Sequence, residues 1–122
     1  MSAFGSGTPG VWEMNLQPEP FAAIKCGEKT VEMRLYDERR QRIRVGDKIL
    51  FTNTENGEVM ATRVKFLERF SDFEALYRAF DKSALGYRRD ESASPQDMQK
   101  YYDNEKITEY GTLAIGIEVI DE

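Results

Sequence analysis

Three side chains in the stretch "GEKTVEMR", residues 27–34, carry the chemistry this chain could perform: Lys29, Glu32 and Arg34. Val31, Met33 and Leu35 alternate there with Thr30, Glu32, Arg34 and Tyr36, the period of a strand with one oily face. Glu32 and Arg34 therefore share the other face. That face admits two readings. As solvated surface it holds an ion pair contributing roughly 0–1 kcal/mol. As the floor of a site it offers a carboxylate and a guanidinium side by side. Tyr36 extends the same row, where it can stack on a planar ligand or cover the end of a barrel. Strict alternation would put Lys29 on the oily face. It joins Glu32 only if the chain is still turning at residues 27–29, which Gly27 allows. In a cleft, Lys29 can bind an anion or, desolvated, serve as a general base.

Composition narrows the options. The 122 residues suit one domain, and their 14 aromatics argue against wholesale disorder. There is no histidine, so the commonest general base and the commonest metal ligand are both missing. Acid–base chemistry falls to Lys, Glu, Asp or Tyr, and a zinc site is not expected. Carboxylate-bound Mg²⁺ or Mn²⁺ stays open, although no ligand cluster stands out. The single cysteine, Cys26, rules out an intramolecular disulfide and suits a reducing cytoplasm. No apolar run is long enough to span a membrane, and no secretory pattern is visible. The formal charge of −5 is not that of a general duplex-DNA binder. Yet residues 25–48 hold eight Lys and Arg against five Asp and Glu. That excess is either a solvated loop or a local surface attractive to phosphates.

Residues 1–13, with "SAFGSGTPG", read as a flexible tail, leaving 14–122 as the domain. The prolines of "PEPFAAIKCG" predict a short helix over 19–26, closed by Gly27. Strands are expected at 30–36 and 48–53. A hairpin turn at Asn56-Gly57 feeds a return strand at 58–68, with Met60, Thr62, Val64 and Phe66 on one face. "SDFE" at 71–74 is a capping box with Ser71 as cap, followed by the stripe Phe73, Leu76, Tyr77 and Phe80. "SPQD" at 94–97 predicts a second helix running to about Glu105, with Met98, Tyr101 and Tyr102 as its apolar face. Leu113, Ile115, Ile117 and Val119 form a last strand, nearly bare on its other side at Ala114 and Gly116. The economical arrangement is α+β: a small curved sheet or barrel with about three helices at its rim.

The spacing G-x-K-x-x-E-x-R in residues 27–34 resembles the signature of the ASCH (activating signal cointegrator homology) domain, of the PUA-like β-barrel superfamily. The helix before the motif, the Gly46-Asp47 turn after it and the closing strand agree with that family. The likeness to a bacterial stand-alone ASCH protein covers about residues 14–120. It implies RNA or a nucleoside, modified or not, bound in a cleft beside the motif strand, with no membrane and no duplex-DNA partner expected. Lys29, Glu32 and Arg34 fall on the signature positions, and Tyr36 or Tyr87 could stack on a base. One branch of the family hydrolyses the N4-acyl group of acetylated cytidine, with a lysine base, a threonine nucleophile and a later glutamate acid. Lys29 matches that lysine and Glu91 falls near the acid. Glu32 stands where the threonine would be, and Thr30 matches a different threonine of the branch pattern. Other ASCH proteins are metal-dependent ribonucleases, which would bring a divalent ion; otherwise no cofactor is implied. A protein-interaction module is the remaining alternative, favoured if Phe or Tyr residues of segment 80–102 are exposed.

Overall fold

The computed structural model describes residues 9–120. Within them the chain runs β1 (Val11–Leu16), α1 (Pro18–Lys25), β2 (Val31–Leu35), a 3₁₀ turn (Arg40–Arg42), β3 (Lys48–Asn53), β4 (Val59–Phe70), α2 (Phe73–Ala79), α3 (Gln96–Gln99), α4 (Asn104–Tyr110) and β5 (Thr112–Val119). The strands make one curled half-barrel sheet in the order β1-β3-β4-β5-β2. β1 pairs with β3 in parallel; every other pairing is antiparallel.

The sheet is buried on both faces. Its concave side packs Met14, Ile49, Phe51, Val64, Leu113 and Ile115 against Phe21 and Ile24 of α1, so α1 plugs the half-barrel. Its other side packs Val31, Met33, Leu35 and Ala114 against Phe73 and Leu76 of α2, Leu85 and Ile107 of α4. The oily face of β2 is therefore turned to the helices. Glu32 and Arg34 point the opposite way.

Four expectations need correction. Order begins before Met14: Gly10 and Trp12 are already tied down, because the buried Asp47 carboxylate accepts from the Gly10 amide (2.8 Å), the Trp12 indole (2.9 Å) and the Arg44 amide (2.9 Å). This pins β1 along β3; the tail expected at 1–13 otherwise falls, for residues 1–8, outside the described residues. The cap of α2 is Asp72 and not Ser71, its carboxylate accepting from the Ala75 amide at 2.8 Å. The helix expected to reach Glu105 is two helices. α3 is a single turn, and Asp103 starts α4 anew by accepting from the Lys106 amide. Finally, a register shift between Val64 and Phe66 reverses the faces of β4. Leu67 then packs on the core, while Phe66 lies outside, over Gly116, where a Cβ would stand 2.1 Å from the ring. That ring is what the bare side of β5 accommodates.

Candidate functional site

Lys29 sits in the turn between α1 and β2. Gly27 adopts φ +88°, and the Lys29 amide donates to the Ala23 carbonyl at 3.0 Å. The strand proper starts only at Val31, so Lys29 escapes the alternation and reaches the Glu32 side. Segment 84–86 holds it there. The Ala84 carbonyl accepts from both the Thr30 and the Val31 amides, each at 3.0 Å. Gly86, at φ +104°, lies directly on the lysine stem, where a Cβ would come within 3.0 Å of Lys29 Cδ.

The result is a buried ionic row. Lys29 Nζ donates to the Leu85 carbonyl at 3.0 Å and stands 3.4 Å from Glu32 Oε1. Glu32 Oε2 accepts from Arg34 Nε at 2.7 Å. Arg34 Nη2 goes on to the Asn15 carbonyl at 2.9 Å. Lys29 and Glu32 are each only 5% exposed, so the polar face of β2 is not ordinary surface. Burial alone would push the Glu32 carboxyl up. The charges of Arg34 and then Lys29, with their hydrogen bonds, outweigh it and hold the group below the usual glutamate range. Burial likewise opposes the charge on Arg34, and Glu32 more than restores it. Buried ion pairs of this kind are seldom net stabilisers compared with apolar residues of the same volume. Their presence calls for another reason.

That reason is a cleft of about 1040 Å³ lined by Lys29, Glu32 and Arg34. Asn15, Gln17 and Pro20 line it from the β1–α1 junction, Tyr77 from α2, and Tyr87, Met98, Tyr101 and Tyr102 from the segment between α2 and α4. The tyrosines are organised. The Tyr87 hydroxyl lies 2.8 Å from that of Tyr77, 2.7 Å from Asp97 Oδ2 and 3.2 Å from the Ser94 carbonyl. Burial, then the Tyr77 and Asp97 hydrogen bonds, push the Tyr87 phenol up. Tyr102 stacks on Phe73 with ring centroids 5.7 Å apart. Its phenol is also raised, chiefly by burial, with Arg34 opposing.

Of the residues singled out in the sequence, Lys29, Glu32, Arg34, Tyr87 and Glu91 all line this one cleft. The Glu91 carboxylate accepts from the Arg88 amide at 2.6 Å. Tyr36 is not among the lining residues. It packs on the concave core, with the Arg69 guanidinium 4.3 Å from its ring centroid, a cation–π contact on the barrel. Asn15, Tyr77, Tyr101 and Tyr102 also line the cleft, and in the sequence the three tyrosines read as members of helical apolar stripes. Their one signal was the hydroxyl, which a plain core position does not need. Among the described residues no group of three or more His, Cys, Asp or Glu is placed to hold a metal ion, and no helix is long and apolar enough to cross a membrane.

Comparison with known proteins agrees with this fold. The sequence profile of the ASCH domain matches residues 14–121. The crystal structure of the hypothetical protein PH0355 is 34% identical, with a TM-score of 0.76, over 90% of this chain and 99% of that one. The solution structure of PF0455 from Pyrococcus furiosus is 35% identical, with a TM-score of 0.67, over 92% and 99%. ASCH from Zymomonas mobilis shares the fold at 20% identity, with a TM-score of 0.59, over 89% of this chain and 66% of that one. A comparison with curated protein sequences finds no significant match.

Proposed function

The chain belongs to the ASCH domain family, and from that premise we propose that its cleft binds single-stranded RNA or a nucleoside, modified or not, through Lys29, Glu32 and Arg34. The observation that carries this reading is the Glu32 carboxylate, held ionised between Lys29 and Arg34 in a cleft lined by tyrosines. A fixed anion of this kind accepts from the exocyclic amine of a base, as carboxylates do with cytosine. The walls made by Tyr77, Tyr87 and Tyr102 accept the base's faces. Lys29 and Arg34 keep further donors for a base carbonyl or a phosphate.

Titration calorimetry with the four ribonucleosides, N4-acetylcytidine and short single-stranded RNA tests the proposal. Glu32→Gln keeps the shape of the side chain and removes the charge. It should weaken binding roughly 5- to 100-fold, the range of one well-formed base contact. If the native protein binds none of these probes, the proposal fails.

A second reading, hydrolysis, draws on the convergence of Lys29, Glu32 and Glu91 on one cleft. In an amide hydrolysis, water would add to the acyl carbon of N4-acetylcytidine, the C–N bond would break, and acetate and cytidine would leave. Glu32 is less suited to activate that water, because its pairing with two cations lowers its basicity. Incubation with N4-acetylcytidine and with labelled RNA, each with and without Mn²⁺, separates amide hydrolysis from metal-dependent RNA cleavage. Activity that survives Lys29→Ala rejects lysine as the base.

A further inference from the structure

The cleft is larger than one nucleoside requires. Its volume of about 1040 Å³ stands at the upper end of small-molecule sites, which run to about 1,000 Å³. Its aromatic residues also fall into two kinds. Tyr77 and Tyr87 are bonded to each other through their hydroxyls, and Tyr102 is stacked on Phe73. Tyr101 also lines the cleft but is 61% exposed, at its rim, and its described ring contact is with its own neighbour Lys100, at 5.4 Å. An exposed aromatic at the mouth of a nucleic-acid cleft is a stacking platform.

The charges at the cleft argue about how a strand would be held. Glu19, Glu28, Glu32, Glu91 and Asp97 line it against Lys29, Arg34, Arg88 and Lys100. Arg88 itself faces Asp90 at 3.9 Å and Glu91 at 3.7 Å. A cleft with five carboxylates and four cations, on a chain of charge −5, is poorly made for gripping consecutive phosphates.

Resting on the RNA-or-nucleoside reading above, we propose that Tyr101 forms an adjoining subsite. It stacks the base next to the one bound at Glu32, so the ligand is a single strand of at least two nucleotides held by stacking rather than by phosphate charge.

The test uses the full chain, the four ribonucleosides singly, and a randomised pentaribonucleotide pool, at several salt concentrations. The native protein should bind the pool more tightly than any nucleoside. Its log–log salt slope should stay near that of one phosphate contact, about −0.7. Tyr101→Ala should weaken pool binding roughly 5- to 100-fold, leave nucleoside binding within about twofold, and leave the melting curve unchanged because the side chain is exposed. Tyr101→Phe should bind the pool like the native protein. If Tyr101→Ala binds both the pool and the nucleosides normally, the rim subsite is wrong and the Glu32 reading stands. A steep salt slope would show phosphate gripping and overturn the stacking argument. Failure of the native protein to bind either probe overturns both.

Discussion

Arg34 donates to the backbone carbonyl of Asn15, 2.9 Å away, across the gap between β2 and β1. These are the two edge strands of the sheet. Arg39 makes a parallel, longer reach to the Glu13 carbonyl, at 3.4 Å. Side-chain bonds thus close a seam that no strand ladder closes. Arg34 consequently serves two ends at once: it fixes the edges of the half-barrel and it holds Glu32 ionised beside the cleft.

Removing Arg34 should therefore cost more than a surface ion pair. Arg34→Ala leaves the Glu32 charge buried with only Lys29 near it, a loss of about 3–5 kcal/mol. Lys29→Met, Glu32→Leu and Arg34→Met combined remove all three charges of the buried row and restore packing. Urea denaturation should place this triple variant well above Arg34→Ala. If the two unfold at the same denaturant concentration, the Asn15 seam and not the stranded carboxylate carries the cost.

Gly86 should be nearly irreplaceable. Alanine there meets a backbone at φ +104° and presses within 3.0 Å of the Lys29 stem. The strained backbone alone costs about 1–3 kcal/mol. Gly86→Ala should lower the unfolding free energy by that amount, which moves the urea midpoint down, and should also weaken ligand binding by displacing the ammonium. Pairing it with Lys29→Ala should relieve the contact and leave the strain, giving a coupling energy of at least about 0.5 kcal/mol in a double-mutant cycle. Strict additivity would mean that the two residues do not press on one another.

Stability should fall in acid through two carboxylates. Burial raises both, but ionic and hydrogen-bonding partners outweigh it: Arg34 and Lys29 for Glu32, then Trp12, Arg44 and Gly10 for Asp47. A carboxyl depressed in the folded state contributes fully above its ordinary value, 4.5 for Glu32 and 3.8 for Asp47. That contribution is lost as pH falls through the lower, folded value. Thermal melts should hold nearly level from pH 7 to about pH 5 and then drop. Glu32→Gln should flatten part of the drop while lowering stability at pH 7. An unaltered profile in both Glu32→Gln and Asp47→Asn would mean that other groups govern acid unfolding.

The motif strand was legible because its physics is local. The alternation of Val31, Met33 and Leu35 sets one face, and the spacing of Lys29, Glu32 and Arg34 sets the chemistry. α1 was legible for the same reason, through its prolines and Gly27. What escaped depended on distant partners. β1 exists because the Asp47 carboxylate, 35 residues away from Trp12, holds its start. The bulge in β4 is recognised only against β5, and plain alternation without it puts Phe66 on the wrong face. Tyr36 continues the row of Glu32 and Arg34 in sequence, but it ends beneath Arg69 on the barrel instead of in the cleft. The tyrosine lining was hidden for a further reason: a helical apolar stripe and a cleft wall use the same residues, and only the paths of their hydroxyls tell them apart.

Those hydroxyls make Tyr87 the residue on which the lining depends. α3 has no fully buried residue and packs on the core through the partly buried Met98. The Tyr87 hydroxyl bonds to Asp97 in α3 and to the Ser94 carbonyl just before it. Tyr87→Phe keeps the ring against Tyr77 and deletes those bonds. The hydroxyl has one proton, shared between the Ser94 carbonyl and the nearer Asp97 carboxylate, so the loss is that of one charge-assisted hydrogen bond, about 1.5–3 kcal/mol. The loss should appear locally before it appears globally. Amide exchange in residues 94–102 should quicken while β3, β4 and β5 keep their protection, and nucleoside affinity should fall because the cleft loses a fixed side. Exchange that quickens throughout the sheet would instead make Tyr87 a part of the global core, and exchange unchanged at 94–102 would mean that α3 is held by other contacts.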